Sequence, residues 1–271
     1  VSGPQQLVFL GSPHVSAEVL RALVRAGHDI KLVITGADRR RGRGGATSPT
    51  PVGTAAIELG LPVSHQTSDA ATCGATLGVV VAYGEIIRPA VLDVIPMVNI
   101  HFSLLPRWRG AAPVERAILA GDDHTGVCVM EVVEALDAGG VFASEAVPVD
   151  SDATTESLTA QLGEVGTDLL LRCLDEGFGD PVPQHGEVTY ASKILAEDRH
   201  IDWSEPNDHI LRKVRIGGAW TSWRSERFRI HSAHVVEDRV VPIVVQPPGK
   251  PQMNFDDWIR GARPTEGEWF E

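Results

Sequence analysis

The amino-acid sequence predicts an α/β protein: a domain built on a parallel-rich sheet, followed by a smaller β-rich domain in the manner of a small, partly open barrel. Three observations lead there. The chain opens strand–helix–strand, with LVFLG at 7–11, VSAEVLRALVRAGH at 15–28 and KLVITG at 31–36 joined by short connections, a unit that closes well only as parallel strands covered by a helix. LGVVVAYG at 77–84 is almost wholly apolar, the pattern of a strand buried on both faces. Beyond a Gly- and Pro-rich stretch at 178–192 the chain changes character, and after a turn and helix its apolar residues alternate in the manner of strands. The 271 residues suffice for one large core and a smaller second one.

Each element has its own reason. Val15, Leu20, Leu23 and Val24 form the expected apolar stripe of the first helix, with Gly27 at its C-terminal end. A polar loop at 37–50 leads to a helix near 51–60, with Pro51 suited to its first turn. MVNIHFS at 97–103, GVCVMEVV at 126–133 and FASEAVPV at 142–149 are expected strands, and 114–121 a helix. QTSDAATCGATL at 66–77 connects helix to strand with little helical content. The long helix 154–177 turns Leu158, Leu162, Leu169 and Leu170 inward. These features bound a first domain at 1–178, a linker at 179–192 and a second domain at 193–271. In the latter, Ile210, Val214 and Ile216 mark a helix, and 220–236 and 239–247 read as strands before a short helix near FDDWIRG.

Composition narrows the class. The chain is 43% hydrophobic and 22% charged, as in globular domains. Its three cysteines, Cys73, Cys128 and Cys173, are widely spaced and expected to stay unpaired in a reducing compartment. Neither a secretory signal nor a membrane span is expected, which suggests the cytoplasm. The net charge is −12, yet 212–229 holds Arg212, Lys213, Arg215, Arg224, Arg227 and Arg229 against Glu226 alone. Such a patch suits either a phosphate backbone or a solvated face.

The chemistry concentrates in NIHFSLLPRWRGAAP at 99–113 and in Asp137 of ALDAGG. Asn99 and His101 are two residues apart, so on one strand they share a face. An amide NH₂ donates to an oxygen gaining negative charge, and an imidazole holds or passes a proton near neutrality. Asp137 is suited to orient that imidazole or to take a proton from an attacking amine. Together they fit addition of a substrate amine to a carbonyl, as in acyl or formyl transfer. A polar network at a strand end is the alternative reading. A dinucleotide site is disfavoured because GSPH lacks Gly-x-Gly-x-x-Gly. No metal is expected, since His101, His124 and Asp137 lack ligand spacing. A serine nucleophile at Ser103 lacks the surrounding elbow motif. Topology places a ligand at the carboxyl ends of the parallel strands, near Gly11, Gly84 and 99–101.

At this point a resemblance becomes specific. NIHFSLLPRWRGAAPVERAI, DDHTGVCVMEVVEALDAGG, ADRRRGRG, VVAYGEI, VTYASKILAEDRHIDWSEP and DDWIRGARP together resemble the methionyl-tRNA formyltransferase family over most of the chain. The resemblance implies a Rossmann-like formyltransferase domain and an OB-like, tRNA-binding second domain. It also implies transfer of a formyl group from 10-formyltetrahydrofolate to the free amine of methionyl-initiator tRNA, with Asn99, His101 and Asp137 catalytic. The folate would lie along Val81, Ala82, Tyr83 and Gly84, Ile100, and Glu134, Ala135 and Leu136. The substrate would meet Arg39, Arg40, Arg41 and Arg43 in the basic loop, and Ser103, Leu104, Leu105 and Pro106 after the strand. Charged initiator tRNA and folate are then the expected partners, with no membrane and a monomeric chain.

Several segments depart from the family pattern. RIGGAWTSWR stands where PWPGAY-like residues are usual, and HSAHVVEDR runs almost directly into VVPIVVQPPGK, so the second domain is expected to be reduced. LDAGG has Ala138 and Gly140 in place of LDTGD-like residues. Two other functions fit the first domain: a folate-dependent formyltransferase acting on an amino sugar or other small amine, and a non-catalytic folate- or RNA-binding relative.

Overall fold

The computed structural model describes residues 3–40, 47–265 and 268–270, with Arg39 and Arg40 described by backbone alone. The chain divides into two units. One comprises Val1–Pro113, His124–Pro148 and Thr159–Ala191; the other comprises Val114–Asp123, Val149–Leu158 and Ser192–Glu271.

In the first unit, β1 (Gln6–Gly11), α1 (His14–Arg25) and β2 (Asp29–Ile34) form the expected opening. The buried side of α1 is Ser16, Ala17, Val19, Leu20 and Leu23, while Val15 and Val24 are only half-buried. The stripe shifts because Ser16 Oγ donates to the Val81 carbonyl at 2.6 Å, drawing the helix's first turn onto the sheet. Two short strands, β3 (Arg39–Arg40) and β4 (Thr47–Ser48), pair antiparallel. Helix α2 (Pro51–Glu58) starts on Thr50, whose Oγ1 accepts from Gly53 N at 2.9 Å, with Pro51 in the first turn. After β5 (Val63–Ser64) the connection to β6 (Leu77–Val81) holds only a 3₁₀ turn at Thr67–Ala71. Helix α3 (Pro89–Leu92) precedes β7 (Met97–His101), and β8 (Arg109–Gly110) precedes α4 (Pro113–Ala120). Strands β9 (His124–Glu131) and β10 (Val141–Pro148), helix α5 (Thr155–Glu176) and strand β11 (Tyr190–Ala191) follow.

The sheet has seven strands in the order β10-β9-β7-β6-β1-β2-β5. Its β7-β6-β1-β2-β5 part is parallel, whereas β9 runs antiparallel to β7 and β10 antiparallel to β9. Strand β6 ends at Val81, three residues before the expected limit, because Ala82 (φ 44°) and Gly84 (φ 80°) leave extended conformation. Leu158, Leu162, Leu169 and Leu170 of α5 are buried as expected. Gly166 lets that helix approach the sheet: a Cβ there would stand 2.7 Å from Ile100 and 3.0 Å from Val127.

In the second unit, α6 (Asn207–Arg215) buries Ile210 and Val214, and Ile216 is buried just past its end. Strands β12 (Ala219–Trp223), β13 (Glu226–Val236), β14 (Arg239–Gln246) and β15 (Met253–Asn254) form one antiparallel sheet in that order, and α7 (Phe255–Ala262) closes the run. Among the described residues the expected barrel is thus a four-stranded meander. Its β12–β13 and β13–β14 connections are two-residue turns, Arg224-Ser225 and Glu237-Asp238, with φ of 49° and 65° and of 47° and 60°. The signs match the primed turns that suit twisted hairpins. The tight Glu237-Asp238 turn accounts for the direct join seen in the sequence. Cys73, Cys128 and Cys173 are free thiols. Among the described residues, no helix is long and apolar enough to cross a membrane.

Candidate active site

Strand β7 supplies the first two candidate residues. Asn99 lies opposite Val80 and Met130, and His101 opposite Cys128. The intervening Ile100 is buried toward α5 at Gly166, so Asn99 and His101 share the other face. His101 is only 5% exposed. Its Nε2 lies 2.9 Å from the Trp108 carbonyl oxygen, which only accepts, so Nε2 carries a proton. Nδ1 is left facing Asp137 Oδ2 at 3.7 Å, beyond a good hydrogen bond. Asn99 is half-buried, and its amide has no side-chain partner among the described residues.

Asp137 arrives from the loop between β9 and β10. It takes the left-handed conformation (φ 44°), which Asp tolerates better than most residues. Its Oδ2 accepts from Gly110 N at 2.8 Å. Gly110 itself is constrained to glycine: φ is 121°, and a Cβ would stand 2.8 Å from the Ala191 carbonyl oxygen. The structure therefore brings Asp137 to His101, with Asn99 on the same face of β7. Cys128, beside His101 in the ladder, is no rival nucleophile, because burial pushes its thiol up to about 11.

The remaining expected site residues are placed unevenly. Val81 and Ile100 are buried within the sheet, so toward a ligand they present backbone only. Ala82 and Gly84 are exposed at the end of β6. Tyr83 is buried, its hydroxyl 2.8 Å from Thr67 Oγ1 and 3.3 Å from Glu85 Oε2, and burial raises its pKa. Glu134, Ala135 and Leu136 are exposed, Leu136 by 60%. Leu104, Leu105 and Pro106 are half-buried beside the site. Ser103 is fully buried and donates to the Arg107 carbonyl at 2.6 Å; its hydroxyl is committed to the loop. Arg39 and Arg40 lie on β3, while Arg41 and Arg43 fall outside the described residues. No group of three or more His, Cys, Asp or Glu among the described residues is placed to hold a metal ion.

The basic stretch is partly neutralised within its own unit. Arg212 pairs with Asp208 at 2.9 Å, Lys213 with Glu205 at 2.7 Å and Arg224 with Glu268 at 2.6 Å. Arg227 lies 4.5 Å from the Trp220 ring centroid, and Arg229 is exposed.

Sequence reasoning missed the part played by 182–191, read as linker. Thr189 accepts from Trp108 N through Oγ1 and from Arg109 N through its carbonyl, both at 2.9 Å. Tyr190–Ala191 pairs in parallel with Arg109–Gly110, and Gln184 bonds the Asp137 loop directly. The polar, Pro-rich composition there signalled irregular backbone, but irregular backbone also builds sites.

Comparison with known proteins places the chain in a family. The family described as "Formyl transferase" matches residues 5–174, and "Formyl transferase, C-terminal domain" matches 193–242. The methionyl-tRNA formyltransferase of Roseobacter denitrificans is 42% identical, covering 98% of this chain and 99% of that protein. That alignment spans 302 positions against 271 residues here, so the relative carries internal segments that this chain lacks. Among solved structures, HypX from Aquifex aeolicus in complex with tetrahydrofolic acid superposes with a TM-score of 0.70 at 18% identity, over 95% of this chain and 47% of that one. The N-formyltransferase from Helicobacter canadensis, in complex with folinic acid and dTDP-3-aminofucose, gives 0.67 at 15% identity, over 86% and 88%. At such identities these two likenesses establish the fold alone. The chain belongs to the formyl transferase family, and the relatives it matches at 36–43% identity include methionyl-tRNA formyltransferases.

Proposed function

We propose that this protein transfers the formyl group of 10-formyltetrahydrofolate to the free α-amine of methionyl-initiator tRNA. The observation that carries the substrate is the 42% identity running through both domains of a methionyl-tRNA formyltransferase. A resemblance confined to 1–178 would serve an amino-sugar enzyme equally well. The reading assigns 1–178 to catalysis, 179–192 to a linker by sequence and 193–271 to tRNA binding. The protein would act in the cytoplasm, as a monomer.

The residues present fit a flat folate: an amide at Asn99 without a side-chain partner among the described residues, the exposed Ala82 and Gly84, and the exposed Leu136 as an apolar cover. The bound donor supplies the carbonyl carbon that the amine attacks. Asn99 NH₂ donates to the carbonyl oxygen as it becomes negative. A proton arriving at His101 Nδ1 would give an imidazolium held between the Asp137 carboxylate and the Trp108 carbonyl, whose positive charge would favour the same developing oxyanion through space. Asp137, fixed by Gly110 N–H, orients this imidazole and would receive the amine's proton directly or through water; collapse of the adduct would then break the bond between the formyl carbon and the donor's nitrogen, which takes up a proton as tetrahydrofolate leaves. Arg39, Arg40, Arg41 and Arg43 would grip the acceptor end through phosphates, giving salt-dependent affinity.

The test offers the purified protein labelled 10-formyltetrahydrofolate with charged initiator tRNA, charged elongator tRNA and a panel of amino sugars. Label should appear on methionyl-initiator tRNA. Formylation of sugars but not tRNA would replace this reading by the small-amine one, and folate binding without transfer to any acceptor would favour a non-catalytic relative. Arg43→Ala should weaken tRNA use and leave folate binding unchanged.

A further inference from the structure

We infer that Gln184 is a positioning residue that acts through Asp137, an inference that rests on the catalytic reading of Asp137. Its amide Nε2 donates to two carbonyl oxygens of the Asp137 loop, those of Asp137 and Gly139, each at 2.8 Å. Its Oε1 accepts from Arg109 Nε at 3.0 Å and Nη2 at 2.6 Å. The orientation of the amide follows from these partners. A guanidinium only donates and a carbonyl only accepts, so the oxygen must face Arg109 and the nitrogen the loop.

The consequence is a closed frame around one carboxylate. Arg109 and Gly110 are consecutive on β8: Gly110 N–H holds the Asp137 side chain, while Arg109, through Gln184, holds the Asp137 main chain. Asp137 sits in left-handed conformation (φ 44°), which a free loop would readily leave. Anchoring its own carbonyl and that of Gly139 keeps the loop in the conformation that aims Oδ2 at His101 Nδ1. Strand β8 is in turn fixed by Tyr190–Ala191, so the segment 182–191 sets the distance between the two catalytic groups.

Gln184→Met removes all four hydrogen bonds at nearly constant volume, and Gln184→Glu keeps an acceptor for Arg109 while losing both donors to the loop. Both variants should lower kcat by about 10- to 100-fold, the cost of a small misplacement in a catalytic group. KM for the folate donor and for charged tRNA should stay within about twofold. In an Asp137→Asn background, Gln184→Met should cost nothing further, since the group it positions is already disabled. Full kcat in Gln184→Glu, or losses that multiply in the double variant, would overturn the inference. Full activity of Asp137→Asn alone would instead overturn the catalytic reading beneath it, so the two failures are told apart. A Gln184→Met protein that does not fold leaves the test to Gln184→Glu, whose circular dichroism should match the parent.

Discussion

The two units of this chain solve the same problem, burial of enough apolar surface, with different side chains. The core of the parallel sheet is aliphatic: Leu7, Val8, Leu10, Leu20, Ile34, Val79 and Val81 are all fully buried, and Phe9 is the large exception. The core of the antiparallel sheet is a stack of rings. Phe228 lies 4.7 Å from Trp258 and 5.0 Å from Phe270, Trp223 lies 4.9 Å from Trp258, and Trp203 stacks on Phe270 at 5.3 Å. A sheet covered on both faces acquires its core from many small β-branched side chains. A short meander with one covered face has fewer inward positions, so each must bury more. The lesson extends to chemistry. The aliphatic sheet ends where Asp137 faces His101, with Asn99 on the same strand face, whereas in the aromatic unit Arg212, Lys213 and Arg224 are held in internal ion pairs.

The largest effect should come from breaking the chemistry while leaving the aliphatic core untouched. Asp137→Asn keeps an oxygen for Gly110 N–H and removes the charge facing His101. The formylation rate should fall by about 10²–10⁴-fold, measured in single turnover, with the thermal midpoint nearly unchanged. His101→Ala should lose activity similarly; a steady rate in that variant would exclude the imidazole from catalysis.

Next comes the aromatic core. Phe228 is fully buried among rings, so Phe228→Ala should destabilise the second unit by about 3–5 kcal/mol. Five of the six tryptophans lie beyond residue 192, so intrinsic fluorescence in a urea titration reports mainly on that unit. Its midpoint should drop well below that of the parent, and hydrogen exchange in β1, β6 and β7 should stay slow. Equal loss of protection in both units would show that they unfold as one body.

A smaller effect separates the ion pairs by pH. Asp198 accepts from Arg116 Nη1 at 2.8 Å, Arg116 Nη2 at 3.0 Å and Leu195 N at 2.8 Å. The Arg116 guanidinium holds this carboxyl below its ordinary value of 3.8. The folded state therefore releases the proton more readily than the unfolded chain does. The resulting stability is fully present above the ordinary carboxylate range and is lost as pH falls through the depressed folded value. Asp198→Asn should cost about 1–3 kcal/mol near pH 7, and the two proteins should converge in acid. A constant difference across the titration would assign the loss to packing instead.

How much of this was legible in sequence follows the same division. The aliphatic sheet was readable because apolar runs such as 77–81 have no other stable use, and the i, i+2 spacing of Asn99 and His101 fixes a shared face without further information. Asp137 was readable as chemistry but not as a neighbour, since its approach depends on Gly110 N–H across 27 positions of chain. Ser103 looked available from its motif, yet the loop turns its hydroxyl onto Arg107, a local bond that competes with any ligand. Gln184 gave no signal at all: a lone amide between Pro183 and His185 has no periodicity, and its role arises from partners at 109, 137 and 139. In the second unit, alternation showed the strands but not their closure, because pairing of sheet edges is a long-range property.

The smallest prediction sharpens the comparison within the second sheet, between its two hairpin turns. Both place two non-glycine residues at positive φ, which costs about 1–2 kcal/mol per residue for an L side chain. At the first turn that cost is offset locally: Arg224 makes a two-pronged bond to Glu268, whose carboxyl is held down to about 2. Among the described residues, the second turn is held by the Asn207 amide, which donates to the Asp238 carbonyl at 3.1 Å and to its Oδ1 at 3.2 Å. Asp238→Gly retains the main-chain half of that contact and removes the strain, against a larger unfolded-state entropy for glycine of about 0.5–1 kcal/mol. A net gain of about 0.5–1 kcal/mol is expected, read as a raised urea midpoint in tryptophan fluorescence. Ser225→Gly should gain similarly, because Ser225 takes no part in the Arg224–Glu268 bond. Arg224→Gly should gain less, since relief of φ comes with loss of that bond. If Arg224→Gly stabilised the sheet as much as Asp238→Gly, turn strain alone would rank the two hairpins and the Glu268 anchor would be of no consequence.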